Sequence, residues 1–592
     1  MGRTAPRDDN ATPDPAFNRT LEPMLRRALE GAGFISAHSR IDLGRNLGVR
    51  PPEQFNEGAA RQMAIQQGLG VVLSGSIKRQ GSRYAIAVKA SQAVTGEVIA
   101  EATETASNKD EVLPATTELA NTVREALGDE QSDSTKRFAM EALSATSLDV
   151  VREYAAAMDA LSRGQFDEAR QRFAKTLTLD RNFGLGYLGL ATTSRNLDRQ
   201  QEAQAYAKQA VSHVDSMTER ERYRTRGMYY LITNDYQSCV KEYGDLISRY
   251  AADAAARNNL ALCATYLRDL PKALDEMRQV VKILPNRALY RTNLALYSNY
   301  SGDFQGGEHE ARAMTKPGMF GLLALAFSQV GQGFVPLATE TYESIGQVDA
   351  HARSYMTSGL GDLAAYEGRF SDAERILGDG AAADLAAKEP NRAAAKFAAL
   401  GYARLQRGRK APAVAAANDA LANSSAVKVR FLAARILVEA GEIPKAQTLA
   451  AALGAEMQTE SQAYAKIIDG LIALEGKDPR QAIKLITDAN NLLDTWLGHF
   501  DLGRAYLDAG APLQADSEFD RCLKRRGEAL ALFLDEEPTY AYFPPVYYYQ
   551  GRVREALNAT GFANSYRAYL AIRGSSKEDP LLPDVRKRAG QS

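Results

Sequence analysis

Three short stretches of the sequence contain residue types that nucleotide or phosphate sites use. Residues 42–44 (DLG) resemble a metal-binding tripeptide, but no HRD catalytic loop occurs anywhere and too few residues precede them to form a nucleotide lobe. Residues 31–36 (GAGFIS) follow a predicted helix and precede a strand, whereas a phosphate loop needs the reverse order, so they indicate a helix C-cap. Residues 470–477 (GLIALEGK) are one residue too long for a P-loop, and Asp478 replaces the metal-binding hydroxyl. We expect none of the three to be catalytic.

Side chains that could bind a metal or act as acids and bases are scattered. None of the histidines has a second histidine four positions away. The carboxylates of residues 535–537 (DEE) indicate a solvated loop. Cys239, Cys263 and Cys522 lie far apart without a CxxC pair, which indicates neither a disulfide framework nor a zinc site. We therefore predict no catalytic residue, no metal ligand, no cofactor and no enzyme activity in this chain.

Composition restricts the class of partner. The chain has 592 residues, too many for one core, with 45% hydrophobic and 24% charged residues. A formal net charge of -1 provides no long-range attraction to nucleic acid. No uninterrupted apolar stretch is long enough to span a bilayer, so we predict neither a membrane segment nor a nucleic-acid partner.

One short element recurs along most of the chain: a Gly or polar turn residue, then an apolar residue, then a small residue five positions after the turn. Successive small residues lie mostly 33 to 36 positions apart, against the 34-residue period of tetratricopeptide repeats. Irregular copies occur near Gly331 and before Ala482. The regular copies occupy residues 164–169, 198–203, 234–239, 268–273, 302–307, 368–373, 408–413, 441–446 and 510–515.

The spacing predicts a pair of antiparallel helices in each repeat. The small residue lies where the two helices approach closely, and an apolar residue four positions later, such as Phe173 or Phe519, shares its face. One hairpin cannot bury this stripe, but stacked neighbours can. We therefore predict a mainly α fold: a right-handed α-solenoid of about twelve tetratricopeptide repeats, preceded by a small α+β domain.

The first part of the chain has a different periodicity. Helices are expected near residues 21–29 and 57–67, alternating strands at 70–80, 84–90 and 97–105, and a closing helix at 108–127. The predicted organisation is a disordered tail (1–16), an α+β domain (17–128), a linker (129–147), the solenoid (148–574) and a C-terminal tail (575–592).

Residues 70–77 (GVVLSGSI), with Gly81, Tyr84 and 95–97 (TGE), resemble the TolB amino-terminal-like (FlgO-like) domain. Together with the repeats, the chain resembles the C-terminal sensor or interaction region of bacterial eukaryotic-like serine/threonine protein kinases. That resemblance implies a catalytic domain and a membrane helix upstream, and this chain contains neither. It implies a location in the cytoplasm if Met1 is the true start, and in the periplasm if the chain is the C-terminal part of a membrane kinase.

In this repeat family the first helix of each pair lines a concave groove. The positions that face the groove, counted back from the small residue, carry side chains able to bind a peptide backbone or carboxylate. The alternative is that an Asn at such a position, for example Asn258, braces the neighbouring repeat. The candidates are Arg195, Asn196, Arg224, Asn258, Tyr266, Asn299 and Tyr300.

Aromatic residues are concentrated near the end of the solenoid, at Tyr540, Tyr542, Phe543 and Tyr547. They fit a capping hairpin whose rings close the core, or an aromatic binding patch.

These observations predict a non-catalytic interaction or sensor module of bacterial signalling that binds a protein or peptide in the groove, with a homodimer possible. The alternatives are an envelope assembly scaffold and part of a kinase whose catalytic domain lies outside this chain.

Overall fold

The computed structural model describes residues 21–29, 35, 37, 57–129, 147–162, 165–197 and 199–590. The predicted disordered tail, the start of the α+β domain, most of the linker, and the turn residues Gly164 and Asp198 lie outside these ranges. No helix in the described ranges is long and apolar enough to cross a membrane.

A small α+β domain comes first, as the sequence predicts. Its elements in chain order are α1 (Leu21–Leu29), α2 (Glu57–Gln66), β1 (Val71–Gln80), β2 (Arg83–Gln92), β3 (Val98–Ala106) and α3 (Val112–Ala126). The three strands form an antiparallel sheet in the order β1-β2-β3.

The alternation in β2 explains the two layers of this domain. Tyr84, Ile86, Val88 and Ala90 point to one face, where they pack with α1 and α3 in a buried core. On the other face α2 covers part of the sheet, and Lys89 pairs with Glu57 at 2.5 Å. The predicted meander and its helices are therefore present.

Helical hairpins follow this domain, and the described part of the chain contains twelve of them. The first six are α4 (Leu148–Ser162) with α5 (Phe166–Leu179), α6 (Gly184–Asn196) with α7 (Gln200–Ser212), α8 (Glu219–Ile232) with α9 (Tyr236–Arg249), α10 (Ala254–Tyr266) with α11 (Leu270–Ile283), α12 (Ala288–Tyr300) with α13 (Phe304–Arg312), and α14 (Met319–Gly331) with α15 (Val335–Ile345).

The remaining six also pair a first helix with a second. They are α16 (Ala350–Tyr366) with α17 (Phe370–Ala386), α18 (Pro390–Gln406) with α19 (Lys410–Asn423), α20 (Val427–Ala440) with α21 (Ile443–Gly454), α22 (Thr459–Glu475) with α23 (Pro479–Leu492), α24 (Trp496–Asp508) with α25 (Pro512–Lys524), and α26 (Pro545–Ala556) with α27 (Ala563–Arg573). The mainly α solenoid behind a small α+β domain is confirmed.

The turn residue of the repeat adopts the conformation that the sequence pattern requires. Gly302, Gly368 and Gly441 have φ values of 89°, 76° and 93°, and Asn234 has 61° at the same place. Glycine reaches this left-handed region without steric cost, and asparagine tolerates it. The left-handed turn reverses the chain and allows the second helix to pack against the first.

Contacts divide the chain into two compact units. Unit 1 comprises Met1–Ala264 and Asp275–Tyr290, and unit 2 comprises Thr265–Leu274 and Arg291–Ser592. Within unit 1 the α+β domain contacts solenoid residues: the Asn286 amide donates to the Gln66 carbonyl, and Arg220 donates to the Ile35 carbonyl at 3.3 Å.

The C-terminal segment and the cysteines differ from the sequence-based expectations. The predicted C-terminal tail contains a further helix, α28 (Leu582–Arg588), whose Leu582 and Val585 pack on Tyr566 and Tyr569 of α27. Cys239 and Cys263 form a disulfide with their Cα atoms 6.3 Å apart. The expectation of no disulfide was wrong because stacking of α9 on α10 brings together residues that no sequence motif links.

Candidate functional site

Four of the predicted groove residues lie in unit 1. Arg195 is partly buried and Asn196 exposed at the end of α6. Arg224 belongs to a buried ion-pair network: it lies 2.7 Å from Asp253, which also accepts from Arg220 at 3.0 Å. Burial opposes the charge of Asp253, but the two guanidinium groups and the Ala256 amide hold its pKa below the usual value.

Asn258 lies beside a short chain of side-chain hydrogen bonds. Its amide donates to Asn259 at 3.4 Å, and Asn259 donates to the Tyr243 hydroxyl of α9 at 3.0 Å. The second of these bonds joins α9 of one hairpin to α10 of the next. In unit 1, therefore, Arg224 and Asn258 have structural contacts in addition to any role in binding.

The other three groove candidates lie in unit 2, and they differ from one another. Tyr266 is partly buried at the end of α10. Asn299 is fully buried: it donates to the Ala324 carbonyl at 2.8 Å and accepts from Ser328 at 2.8 Å, so it braces the neighbouring repeat. The Tyr300 hydroxyl donates to the carbonyl oxygen of Asp535.

Tyr300 thus contacts a part of the same chain that follows the eleventh hairpin. Residues 526–543, here called the inner loop, connect α25 to α26 and run across the faces of the first helices in unit 2. Gly527 begins this course: a Cβ atom there would overlap the carbonyl oxygen of Asn299, so only glycine fits. Thr539 closes the loop, since its hydroxyl donates to the Ala529 carbonyl at 3.1 Å and accepts from the Leu532 amide at 2.8 Å.

Polar side chains from separate hairpins hold the backbone of the inner loop. Arg268 donates to the Leu532 carbonyl at 3.1 Å, and Asp362 accepts from the amides of Tyr540 and Ala541 at 2.9 and 3.0 Å. The Tyr402 hydroxyl donates to the Ala541 carbonyl at 3.3 Å. Groups that recognise main-chain atoms are those expected of a peptide-binding groove.

Aromatic rings of the inner loop pack on rings of the first helices. The Phe533 ring lies 5.6 Å from that of Tyr464, Tyr540 stacks on Tyr366 at 5.1 Å, and Tyr542 stacks on Tyr402 at 4.3 Å. Contacts of this size add to the burial energy of each ring. The first-helix side chains that contact the inner loop line a surface that we call the unit 2 groove. They are Tyr300, Asp362, Tyr366, Tyr402, Lys428, Phe431 and Tyr464.

Three of the four residues of the predicted aromatic patch lie within the inner loop. Tyr540 and Phe543 are only 3% and 2% exposed, and Phe543 lies 6.3 Å from Trp496 between ring centroids. The fourth, Tyr547 at the start of α26, is partly buried and meets Phe543 edge-on at 5.4 Å. The rings pack inside unit 2, so they offer little exposed surface.

The charged groups of the groove and those of the inner loop are complementary. Lys428 pairs with Asp535, and Arg392 lies 3.6 Å from Glu537. Burial opposes the charge of Lys428, but the surrounding carboxylates raise its pKa above the usual value. The expectation that residues 535–537 form a solvated loop was therefore wrong, because the groove supplies cationic partners.

Arg573 anchors the far end of the inner loop from α27. It is completely buried and donates to the carbonyls of Tyr366, Ala365 and Ala541 at 2.9, 3.0 and 3.1 Å. Asp579, also buried, balances its charge at 3.7 Å. A buried guanidinium needs such a full set of acceptors.

Burial sets the strength with which the loop is held. Leu530, Leu532, Phe533, Tyr540 and Phe543 are each less than 9% exposed. At roughly 1.5–3 kcal/mol for each buried apolar side chain, their burial contributes on the order of 10 kcal/mol. The conformational entropy lost when these residues are ordered offsets part of this contribution.

Several groove residues were missing from the sequence-based set, although the same register identifies them. Tyr366 stands as far ahead of Ala373 as Tyr300 stands ahead of Gly307, and Phe431 stands as far ahead of Ala446 as Asn258 ahead of Ala273. Asp362 and Lys428 lie at other positions of the first helix. No pattern in the sequence marks the inner loop as their partner.

Within the described ranges, no group of three or more His, Cys, Asp or Glu side chains could hold a metal ion. No protein-family model matches the chain, and no curated protein matches it.

The solved structures that are similar to this chain include three at low identity. A chain of the APC/C hetero-tetramer Cut9-Hcn1 is 14% identical, with 74% of this chain and 96% of that chain covered and a TM-score of 0.27. The human IFIT1 dimer with PPP-AAAA is 15% identical (63% and 90% covered, TM-score 0.33). Yeast Tom70 is 12% identical (72% and 99% covered, TM-score 0.38). Because these TM-scores are below 0.5, the fold is assigned from the hairpins themselves: the chain is a tetratricopeptide-type α-solenoid behind a small α+β domain.

Proposed function

We propose that the chain is a non-catalytic protein-interaction module whose first helices form the binding surface. The observation that carries this proposal is the unit 2 groove, which already holds a length of polypeptide. It binds the inner loop through main-chain hydrogen bonds, aromatic stacking and complementary charge. A surface that binds one segment of protein in this way is chemically suited to bind another.

The setting that we propose is bacterial signalling. Its support is the sequence resemblance of residues 70–97 to the TolB amino-terminal-like domain, and of the whole chain to the region behind a serine/threonine kinase domain. In this setting the chain presents binding surfaces and the kinase domain supplies catalysis. Incubating the purified chain with labelled ATP and a protein substrate tests the division of roles: no phosphotransfer is expected, and transfer by this chain would reject it.

Affinity capture from a lysate of the source cells tests the binding function, with the full chain as bait. Arg195→Glu alters the first-helix face of unit 1, and Lys428→Glu alters that of unit 2. Lys445→Glu is the matched control, since Lys445 lies on a second helix and is 52% exposed. We expect saturable capture of specific proteins by the wild type and by the control, and weaker capture by at least one face variant.

If neither face variant changes the captured set, the first-helix faces are not the docking surface. Sedimentation of the purified chain at several concentrations, run in parallel, tests the proposed homodimer. A single monomeric species throughout would reject it.

A second candidate, an envelope assembly scaffold, is favoured by one observation. The Cys239–Cys263 disulfide suits a protein that folds in an oxidising compartment such as the periplasm. Cell fractionation followed by capture distinguishes the two: envelope-assembly proteins as the sole partners would favour the scaffold, and signalling proteins the interaction module.

A further inference from the structure

The unit 2 groove is occupied by the chain's own inner loop. The loop has three parts in order: an apolar stretch with Leu530, Leu532 and Phe533, an acidic stretch at residues 535–537, and an aromatic stretch with Tyr540 and Phe543. Each part meets a matching part of the groove. The groove therefore fits a segment that has an apolar, an acidic and an aromatic part in this order.

The apolar part meets Phe431 and Tyr464, whose rings lie 6.2 and 5.6 Å from that of Phe533. The acidic part meets the cations of Lys428 and Arg392.

The aromatic part meets Tyr366 and Tyr402, and Asp362 binds the main chain beside it. A hydrophobic anchor, a charge pair and a main-chain clamp together provide specificity as well as affinity.

The interface between loop and groove is not completely filled. A cavity of about 30 Å³ remains beside the loop, lined by residues of α16, α17, α18 and α20 and by loop residues that include Phe533, Thr539 and Tyr542. The Ser358 hydroxyl on this cavity is buried, and it has no hydrogen-bond partner within the part of the chain that the structure describes. Protein cores are normally close-packed and their buried polar groups are satisfied.

We propose that the inner loop is an internal ligand that closes the unit 2 groove, and that the groove's external partner carries a segment of the same apolar, acidic and aromatic chemistry. This inference rests on the proposed interaction function and adds the class of partner and its regulation. The partner exchanges with the loop, so its contacts replace those that the loop gives up. Binding is weak while the loop is seated and strengthens when the loop is loosened.

A fluorescent peptide corresponding to residues 529–543 tests the proposal by anisotropy against the full chain. Two variants loosen the loop through substitutions within the loop itself. Gly527→Ala introduces a Cβ against the Asn299 carbonyl, and Thr539→Val removes the hydroxyl that closes the loop. We expect each loosened variant to bind the peptide at least about tenfold more tightly than the wild type. Adding Lys428→Glu to either should remove the gain, whereas adding Lys445→Glu should not.

Circular dichroism and thermal melting establish that each variant is folded. A folded loosened variant that binds no more peptide than the wild type would overturn the proposal, as would a gain that does not depend on Lys428. If neither variant folds, the loop is a permanent part of the core and the proposal is also overturned. The peptide experiment and the lysate capture test different claims. If the chain captures proteins but the loosened variants do not bind the peptide more tightly, only the inference about the inner loop is rejected. If the chain captures no protein, the interaction function itself is rejected.

Discussion

The carboxylate of Asp362, in the C-terminal part of α16, accepts a 2.9 Å hydrogen bond from the backbone amide of Tyr540, 178 residues further along the chain. This bond and the one from the next amide, of Ala541, fix the aromatic end of the inner loop. They join a solenoid helix to the inner loop, whose position the repeat pattern of the sequence does not predict.

The charge of Asp362 predicts a pH-dependent stability. Burial raises the pKa of Asp362 to about 7, although the two amides lower it. The pKa in the unfolded chain is about 4. Because folding favours the protonated form, the contribution of this group to stability is fully present below about pH 4 and is lost as the pH rises through about 7, by up to about 4 kcal/mol.

Asp362→Asn cannot ionise and should lack this part of the pH dependence. We expect the variant to be less stable than the wild type at pH 5, and the difference between them to narrow by pH 8. Urea unfolding at both pH values measures the effect. If the free energy of unfolding changed with pH in the same way in both proteins, the pKa of Asp362 would be the same in the folded and unfolded chains, which would contradict the prediction.

His499 predicts a second pH effect. Its ring is 3% exposed, with Nδ1 2.5 Å from Glu518 and Nε2 2.5 Å from Asp494. Burial alone would lower the pKa of His499, but the two carboxylates outweigh it and raise the pKa above the usual value. The stabilisation is therefore full below about pH 6.5, the unfolded pKa, and is lost as the pH rises through the folded pKa.

His499→Gln should remove this loss of stability with rising pH, and NMR titration of the imidazole checks the raised pKa directly. His309→Gln is the control, because His309 is exposed. A titration midpoint of His499 at or below about 6.5, the usual value for histidine, would contradict the prediction.

Two glycines in neighbouring helices differ in how closely other side chains pack against them, so we expect alanine to have opposite effects on stability at the two positions. A Cβ at Gly359 in α16 would overlap the buried ring of Tyr342, whereas a Cβ at Gly378 in α17 meets nothing within 4 Å. We expect Gly359→Ala to destabilise unit 2 by about 1–3 kcal/mol through overpacking. Gly378→Ala should instead stabilise it by up to about 1 kcal/mol, because alanine favours a helix. Chemical unfolding measures both changes, and equal effects at the two positions would contradict the packing described.

The Cys239–Cys263 disulfide predicts a sensitivity to reductant. The bonded cysteines are 24 residues apart, and closing a loop of that size contributes about 3 kcal/mol. A reductant should lower the urea midpoint of the wild type but not that of the Cys239→Ala/Cys263→Ala double variant. Mass spectrometry after alkylation of the native protein identifies the bonded pair, and alkylation of both residues without reductant would show that they are free thiols.

Local patterns predicted the parts of this fold that repeat. The spacing of turn and small residues located the hairpins, since each depends on contacts within one repeat, and alternation located the three strands. The register also placed Tyr300 on the face that holds the inner loop.

Features formed by distant parts of the chain were not predictable from the sequence. The inner loop has no period, and its position depends on Gly527, Asp362 and Arg573 meeting across many repeats. Asn299 could not be distinguished from a binding residue, because its two partners lie on the next repeat. The disulfide depends in the same way on the stacking of α9 and α10.

Hydrogen–deuterium exchange of the full chain, with and without a captured partner, tests the central claim most directly. If a partner binds the unit 2 groove by replacing the inner loop, backbone amides of the loop, including Tyr540 and Ala541, should exchange faster in the complex. Amides of the helices that line the groove should stay protected. A complex in which exchange of the loop is unchanged and new protection appears only elsewhere would contradict the account.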